Sequence, residues 1–238
     1  MNIALILSGG TGTRMGTDIP KQYIEVCGKP IISYCTETIT KHPKIDAIQI
    51  VAEEEWRELI SESIEQLAQS KETEILGKFK GFSKPGTNRQ LSIYNGLEAI
   101  KEYACDNDYV FIHDAARPLL SAQQISDCFG AVQGHDGVIP VLPMKDTVYA
   151  STDGKLITSL LNRKEIYAGQ APEVFQLGKY YEANRKLLPD EILRINGSTE
   201  PAVMAGMDIA MIPGDENNFK ITTKSDLERF ERIIRGYE

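Results

Sequence analysis

The sequence predicts an α/β fold in which a mostly parallel sheet carries helices on both faces, built as one domain over residues 1–238. Three observations carry this expectation. Short apolar runs of β type at residues 3–7, 47–52, 109–112 and 137–142 alternate with longer segments of helical periodicity. The chain is long enough to bury a sizeable core, and at 42% hydrophobic and 25% charged it has an ordinary globular composition. No repeat, low-complexity segment or linker divides it.

The first strand, residues 3–7, runs straight into Leu7-Ser8-Gly9-Gly10-Thr11-Gly12-Thr13-Arg14, followed by Pro20-Lys21-Gln22. Glycines after a buried strand let backbone N–H groups face an anion at close range. Leu7, Ser8, Gly9, Gly10, Thr11 and Gly12 are therefore candidate nucleotide-binding residues, and Arg14 and Lys21 candidate catalytic cations for growing phosphate charge. The spacing misses the dinucleotide fingerprint, whose third glycine falls on Met15, and no Gly-Lys-Ser/Thr triplet makes a P-loop. The plain alternative is a glycine-rich strand-to-helix turn.

Pro30 should start a helix that His42-Pro43 closes. A charged helix spans 53–69, with Trp56, Leu59, Ile60, Ile64 and Leu67 on one side, and a third strand falls near 74–79. Thr87 and Gln90 have capping-box spacing for a helix running to about Tyr103. The strand at 109–112 ends in His113-Asp114-Ala115-Ala116-Arg117-Pro118. Ligands of open parallel sheets lie beyond the carboxyl ends of the strands. There Asp114 suits a ribose hydroxyl or a divalent metal and Arg117 suits a phosphate; otherwise Asp114 caps the turn and pairs with Arg117. His113 has a structural or tuning role.

Ser121 and Gln124 open a helix to about Val132, and a strand covers 137–142. Two strands around Asp153-Gly154 then form a hairpin within a β-arm at about 143–166, which either packs on its own sheet or needs another surface to lie on. Residues 167–175 are extended around Pro172, 177–187 form a helix that Pro189 ends, 207–212 form a last core strand, and 226–234 a closing amphipathic helix.

Net charge is −8, which argues against a nucleic-acid surface and makes any anion site local. Cys27, Cys35, Cys105 and Cys128 form no C-x-x-C pair and the three histidines do not cluster, so zinc is not expected. The cysteines fit small buried hydrophobes in a reducing cytoplasm. No signal peptide opens the sequence and no apolar run reaches membrane-spanning length, so the expected location is the cytoplasm, with no membrane partner.

Gly-Gly-x-Gly-x-Arg-Met followed by Pro20-Lys21-Gln22 resembles the cytidylyltransferases that couple CTP to sugar-alcohol phosphates, among them the methylerythritol-phosphate and ribitol-phosphate enzymes. Gly86, Arg89 and Ser92 match the family's Gly-x-x-Arg-x-x-Ser element, the His-Asp-Ala-Ala-Arg-Pro segment is complete, and Asn218-x-Lys220-x-Thr222 matches a fourth motif. Nearly the whole chain is covered. The resemblance implies a Rossmann-like fold of the nucleotide-diphospho-sugar transferase type. It further implies transfer of CMP from CTP to a polyol phosphate with release of pyrophosphate, Mg²⁺ bound mainly through the CTP phosphates, and a homodimer in which each arm completes the partner's site.

Residue by residue, the resemblance assigns Gly86, Arg89, Ser92, Asp114 and Ala115 to the nucleotide, Lys220 to catalysis beside Arg14 and Lys21, and Arg117, Thr147, Arg163, Ser198 and Thr222 to the acceptor substrate. Asp114 is also the candidate metal ligand. The chain departs from the family in two places. Gln170-Ala171-Pro172-Glu173 stands where the family has Gln-Thr-Pro-Gln, and Ser198-Thr199-Glu200-Pro201 where it has Thr-Asp-Asp/Glu-Ala. The opening loop and Gly169-Gln170-Ala171-Pro172 are similar to the ribitol-phosphate enzymes and favour D-ribitol 5-phosphate as acceptor; His-Asp-Ala-Ala-Arg-Pro is closer to the methylerythritol enzymes, and 2-C-methyl-D-erythritol 4-phosphate is the alternative. A non-catalytic CTP-binding protein is the alternative of another class, and a dinucleotide oxidoreductase is disfavoured by the missing glycine.

Overall fold

The structure, a computed structural model, describes residues 1–10, 19–69 and 77–237. Among these, twelve strands and seven α-helices follow in the order β1 (Asn2–Leu7), β2 (Glu25–Val26), β3 (Lys29–Pro30), α1 (Ile31–Lys41), β4 (Ala47–Val51), α2 (Arg57–Gln69), β5 (Phe79–Ser83), α3 (Arg89–Lys101), β6 (Tyr109–Asp114), α4 (Ala122–Ala131), β7 (Gly137–Pro143), β8 (Tyr149–Ala150), β9 (Ser159–Leu160), β10 (Tyr167–Gly169), β11 (Glu173–Gln176), α5 (Leu177–Arg185), α6 (Glu200–Met204), β12 (Ile209–Pro213) and α7 (Lys224–Ile234).

β1 lies between β4 and β6 and is parallel to both, and β5 extends the sheet beyond β4. The expected mostly parallel sheet is present, with one interruption. β11 is wedged antiparallel between β6 and β7, and β10 continues along β7 in the same sense. β12 then pairs parallel with β7 on its far side. Alternation sorts the two faces: Ala4 and Ile6 of β1 meet the cluster containing Ile32, Ile60 and Ile125, while Ile3 and Leu5 meet that containing Ile93, Leu97 and Tyr180. Helices α1, α2 and α4 thus cover one face and α3, α5 and α6 the other.

Several local expectations are corrected. The β5 strand begins at Phe79, where the expected one would end, and residues 74–76 lie outside the described residues. The N-cap of α3 is Asn88, not Thr87: its side chain accepts from the Leu91 N–H at 2.8 Å. Pro30 is the N-cap of α1 rather than its first helical residue. The charged helix opens with a 3₁₀ turn at Glu54–Trp56. β12 starts at Ile209 and is a partly exposed strand, not a core one. The hairpin β8–β9 forms as expected, with Gly154 at φ +69° in its turn. α7 carries a full capping box between Thr223 and Asp226.

His113 shows how β6 is finished. Its ring is fully buried beside Phe111, and Nε2 donates to the Arg117 carbonyl at 3.0 Å, folding the end of β6 back on itself. Burial, with Arg117 and Lys220 nearby, lowers its pKa from 6.5 to about 4, against the smaller upward pull of Arg117's carbonyl and Asp114. The unfolded chain therefore takes up a proton below pH 6.5 that the folded one refuses, so this group costs stability as pH falls from 6.5 towards 4. Between pH 6.5 and 5 the loss is about 2 kcal/mol. His113→Gln keeps an N–H for the Arg117 carbonyl and should remove that part of the slope in urea midpoints measured at pH 7 and 5. Equal slopes in the two proteins would refute the assignment.

Candidate active site

The exit from β1 is shaped by close contacts. The Leu7 carbonyl accepts from Ala115 N–H at 3.0 Å, and Ser8 N–H donates to the Val51 carbonyl at 2.9 Å. A Cβ on Gly9 would sit 2.4 Å from Cβ of Pro85, so only glycine lets these two loops pass. The Ser8 hydroxyl points inward, donating to the Tyr23 hydroxyl, which in turn donates to the Ser8 carbonyl. Gln22 had no assigned role in the sequence, yet its amide donates to both the Ser8 and Gly10 carbonyls at 2.7 Å. It holds the start of the loop in shape beside Lys21, which opens a 3₁₀ turn. Thr11, Gly12 and Arg14 lie outside the described residues.

A second loop faces the first. Gly86 N–H donates to the Ser92 hydroxyl at 2.9 Å, and that hydroxyl donates to the Asn88 carbonyl at 2.8 Å. The Asn88 amide reaches across to the Ile192 carbonyl at 2.9 Å. Ser92 therefore shapes the loop from within. Gly86 is constrained as well, since a Cβ there would lie 2.5 Å from Leu91 Cβ.

Asp114 stands where the loops meet, at the carboxyl end of β6. Arg89 donates to Oδ1 through Nε at 3.1 Å and approaches it with a second nitrogen at 3.0 Å. Lys220 donates to Oδ2 at 3.0 Å, and Arg117 Nε lies 3.7 Å from the same oxygen. Burial alone would raise the Asp114 pKa, but Arg89, Lys220 and Arg117 outweigh it and hold the carboxyl well below the usual range. Lys220 and Arg117 arrive by a shared clamp. Arg117 donates to the Asn218 carbonyl at 2.6 Å, and Ile221 N–H to the Ala116 carbonyl at 2.9 Å. Fully buried Asn218 donates to Gln124 and to the Ala171 carbonyl. The Ser121 cap expected for α4 is present, but the Gln124 side chain serves Asn218 instead of closing a capping box.

Two chambers open on either side of this cluster. The first, about 460 Å³, is lined by Leu7, Gly9, Gly10, Lys21, Gln22, Glu53, Gly86, Arg89, Ser92, Asp114, Lys220 and Thr222. Most of the expected nucleotide-binding residues meet here. Ala115 does not line it and acts through its backbone bond to Leu7, while Ala116 does line it. The Thr222 hydroxyl is engaged by Asp226 at 2.8 Å. The second chamber, about 380 Å³, is lined by Arg117, Glu173, Asn196, Ser198 and Thr199 and shares Arg89, Asp114 and Lys220 with the first. Ser198 is buried and donates to Glu173 Oε1. Thr147 and Arg163 are exposed on the arm and line neither chamber, and Arg163 donates to the Lys145 carbonyl at 2.7 Å.

Among the described residues no group of three or more His, Cys, Asp or Glu side chains gathers to hold a metal ion. Asp114 offers the negative charge a divalent cation needs, but both of its oxygens already face cations. The cluster suits an anion: three cations fixed around one carboxylate, with a glycine loop across the chamber.

Known proteins were compared with this chain. The family model described as 2-C-methyl-D-erythritol 4-phosphate cytidylyltransferase (IspD) matches residues 2–236. A ribitol-5-phosphate cytidylyltransferase of Streptococcus pneumoniae is 32% identical over 98% of this chain and 99% of its own length. A bifunctional IspD/IspF enzyme of Granulibacter bethesdensis is 36% identical over 97% of this chain, which spans 56% of that longer protein. A crystal structure of 4-diphosphocytidyl-2C-methyl-D-erythritol synthase from Anaerococcus prevotii superposes with a TM-score of 0.80 at 23% identity, covering 98% of this chain and 96% of that one, and confirms the fold. Among the described residues no helix is long and apolar enough to cross a membrane. With a match that runs almost end to end and loop motifs that meet in one cleft, the chain belongs to the 2-C-methyl-D-erythritol 4-phosphate cytidylyltransferase family of nucleotidyltransferases.

Proposed function

We propose that the protein transfers CMP from CTP to D-ribitol 5-phosphate, giving a CDP-alditol and pyrophosphate. One observation carries the reading: two chambers share a single wall, Arg89, Asp114 and Lys220, so donor and acceptor phosphates would meet at fixed cations. The chamber of Gly9, Gly10, Lys21 and Gly86 takes the nucleotide and that of Arg117 and Ser198 the polyol phosphate. An acceptor phosphate oxygen attacks the α-phosphorus as pyrophosphate departs. That oxygen is already anionic at neutral pH, so no general base is needed, and catalysis rests on positioning and charge stabilisation. Lys21 and Lys220, with Arg14, hold the triphosphate and steady the charge of the transition state. Mg²⁺ bound through the CTP phosphates would supply neutralising charge; of the two carboxylates lining that chamber, Asp114 is engaged by Arg89 and Lys220, which leaves Glu53 as the one to face it.

The pneumococcal relative and the opening loop support ribitol 5-phosphate; the family model supports 2-C-methyl-D-erythritol 4-phosphate as the second reading. Pyrophosphate release from CTP, assayed with each phosphate in turn, separates them. Inactivity with both, despite CTP binding, would instead favour a non-catalytic nucleotide-binding protein. Lys21→Ala should lower kcat by about 10²–10³ without moving the melting temperature, and near-normal turnover would remove Lys21 from the mechanism.

We further propose that the arm pairs two copies in the cytoplasm and carries Thr147 and Arg163 to the partner's second chamber. Supporting this, the arm displays Tyr149, Leu156, Ile157 and Leu160 at 53–72% exposure, a cluster unusual for a free surface. Light scattering should give twice the 26.5 kDa chain mass. The double variant Leu156→Asp, Leu160→Asp should run as a monomer with impaired turnover. A monomeric wild type would end the trans-acting arm.

A further inference from the structure

The second chamber contains a carboxylate that the reaction as proposed does not use. Glu173, the first residue of β11, is 6% exposed and lines the chamber wall. Its Oε1 is taken by the Ser198 hydroxyl. Its Oε2 is buried and accepts no hydrogen bond from the described residues; the nearest cation, a terminal nitrogen of Arg89, stands 4.0 Å away. Burial raises its pKa, with Arg89, Ser198 and Arg117 pulling the other way. A buried acceptor left without a donor costs free energy, and at a chamber wall the natural donor is a ligand. Arg117 Nε and the Thr199 hydroxyl of the same chamber are likewise buried without a hydrogen-bond partner among the described residues.

The surroundings hold Glu173 in place. β11 is hydrogen-bonded on both sides, to β6 and β7. The loop presenting Ser198 is fixed by the Tyr180 hydroxyl on its carbonyl at 2.6 Å and by Glu200 accepting from Asn196 N–H at 2.9 Å. The carboxylate is thus set by backbone on one side and by a pinned serine on the other. The chamber's cations, Arg89, Arg117 and Lys220, suit the acceptor's phosphate. As a carboxylate Glu173 only accepts, which suits hydroxyl groups.

We propose that Glu173 determines acceptor specificity: its carboxylate receives hydrogen bonds from hydroxyls of the bound polyol chain, selecting an unbranched alditol phosphate over one that turns a methyl group to that wall. The inference rests on the polyol-phosphate reading above and assigns the selection to one side chain. A site built to hydrogen-bond a hydroxyl discriminates strongly against an analogue that lacks it, because its own polar group is then left unpaired. The chain has this carboxylate where its family pattern has an amide. An amide at this position offers two N–H donors and a single oxygen, already claimed by Ser198.

The test compares wild type with Glu173→Gln and Glu173→Ala, measuring kcat and KM for CTP, ribitol 5-phosphate and 2-C-methyl-D-erythritol 4-phosphate, with melting temperatures alongside. In Glu173→Gln, kcat/KM for ribitol 5-phosphate should fall about 10–100-fold through KM, the scale of one hydrogen bond to a charged group. KM for CTP should stay within about twofold, and the ratio of the two acceptors should move towards the methylated one. An unchanged ratio would overturn the proposal. So would a parallel rise in KM for CTP, which marks Glu173 as a support for Arg89, since Arg89 lines both chambers. Glu173→Gln is nearly isosteric and keeps the test open where Glu173→Ala fails to fold. A wild type that turns over neither acceptor would overturn the function reading and this inference together. Turnover with no response at Glu173 would overturn the inference alone.

Discussion

Everything in the two-chambered cleft depends on Asp114 being ionised while buried among three cations. Arg89 comes from α3, Arg117 from the turn after β6, and Lys220 from the segment before α7. None of these elements is adjacent to all the others in sequence. The carboxylate supplies a common target that fixes their heads before any ligand arrives. Such a cluster is expensive to desolvate, and breaking a buried pair by removing one partner typically costs about 3–5 kcal/mol. It does not stabilise the fold cheaply. What it provides is preorganisation: cations that are already oriented when phosphate charge develops need no further reorganisation.

The rest of the site keeps that cluster in register with the glycine loop. β1 is the hinge of this arrangement. The Leu7 carbonyl bonds to Ala115 and the Ser8 N–H to Val51, so the loop's origin is tied to both neighbouring strands. Side-chain amides do the remaining work. Gln22 spans the Ser8 and Gly10 carbonyls, Asn88 bridges to Ile192, Asn218 joins Gln124 to Ala171, and Gln170 pairs with Asp215 through both ends of its amide. An amide can donate and accept without carrying charge, so it bridges loops without disturbing the local potential.

These bridges mark the boundary of what the sequence makes legible. The strands of β1, β4 and β6 stand out because each is a buried apolar run with turn signals after it, and the anion site because glycines and cations recur just beyond them. The amides have no such signature: a lone Gln or Asn reads the same in a solvated turn and in a clamp. The α3 cap shows the limit locally. Thr87 and Asn88 both offer an oxygen near the helix start, and Asn88 is the cap in a fold where Ile192, 104 residues away, holds its other end. β11 is legible as extended chain after Pro172, but its place in the sheet is not. Four residues after a proline carry no readable period, and their antiparallel place between β6 and β7 is decided by partners far along the chain.

The two chambers also differ in how they are built, and this bears on how one fold can serve several acceptors. The first chamber hangs on the carboxyl ends of parallel strands and on loops that close glycine contacts restrict: Gly9 against Pro85, Gly86 against Leu91. A Cβ at either of these two glycines would collide with its neighbour, while one at Gly10 would meet open space. The second chamber is walled by β11, the 196–199 loop and the turn after β6, and presents side chains rather than bare backbone. Exchanging an amide for a carboxylate at Glu173, or a hydroxyl for a methyl at Ala171, changes the groups the wall presents without calling for a change of sheet register. The departures from the family's pattern at Ala171, Glu173 and Thr199 all line this second chamber, a distribution that fits relatives sharing a nucleotide donor and differing in the alcohol.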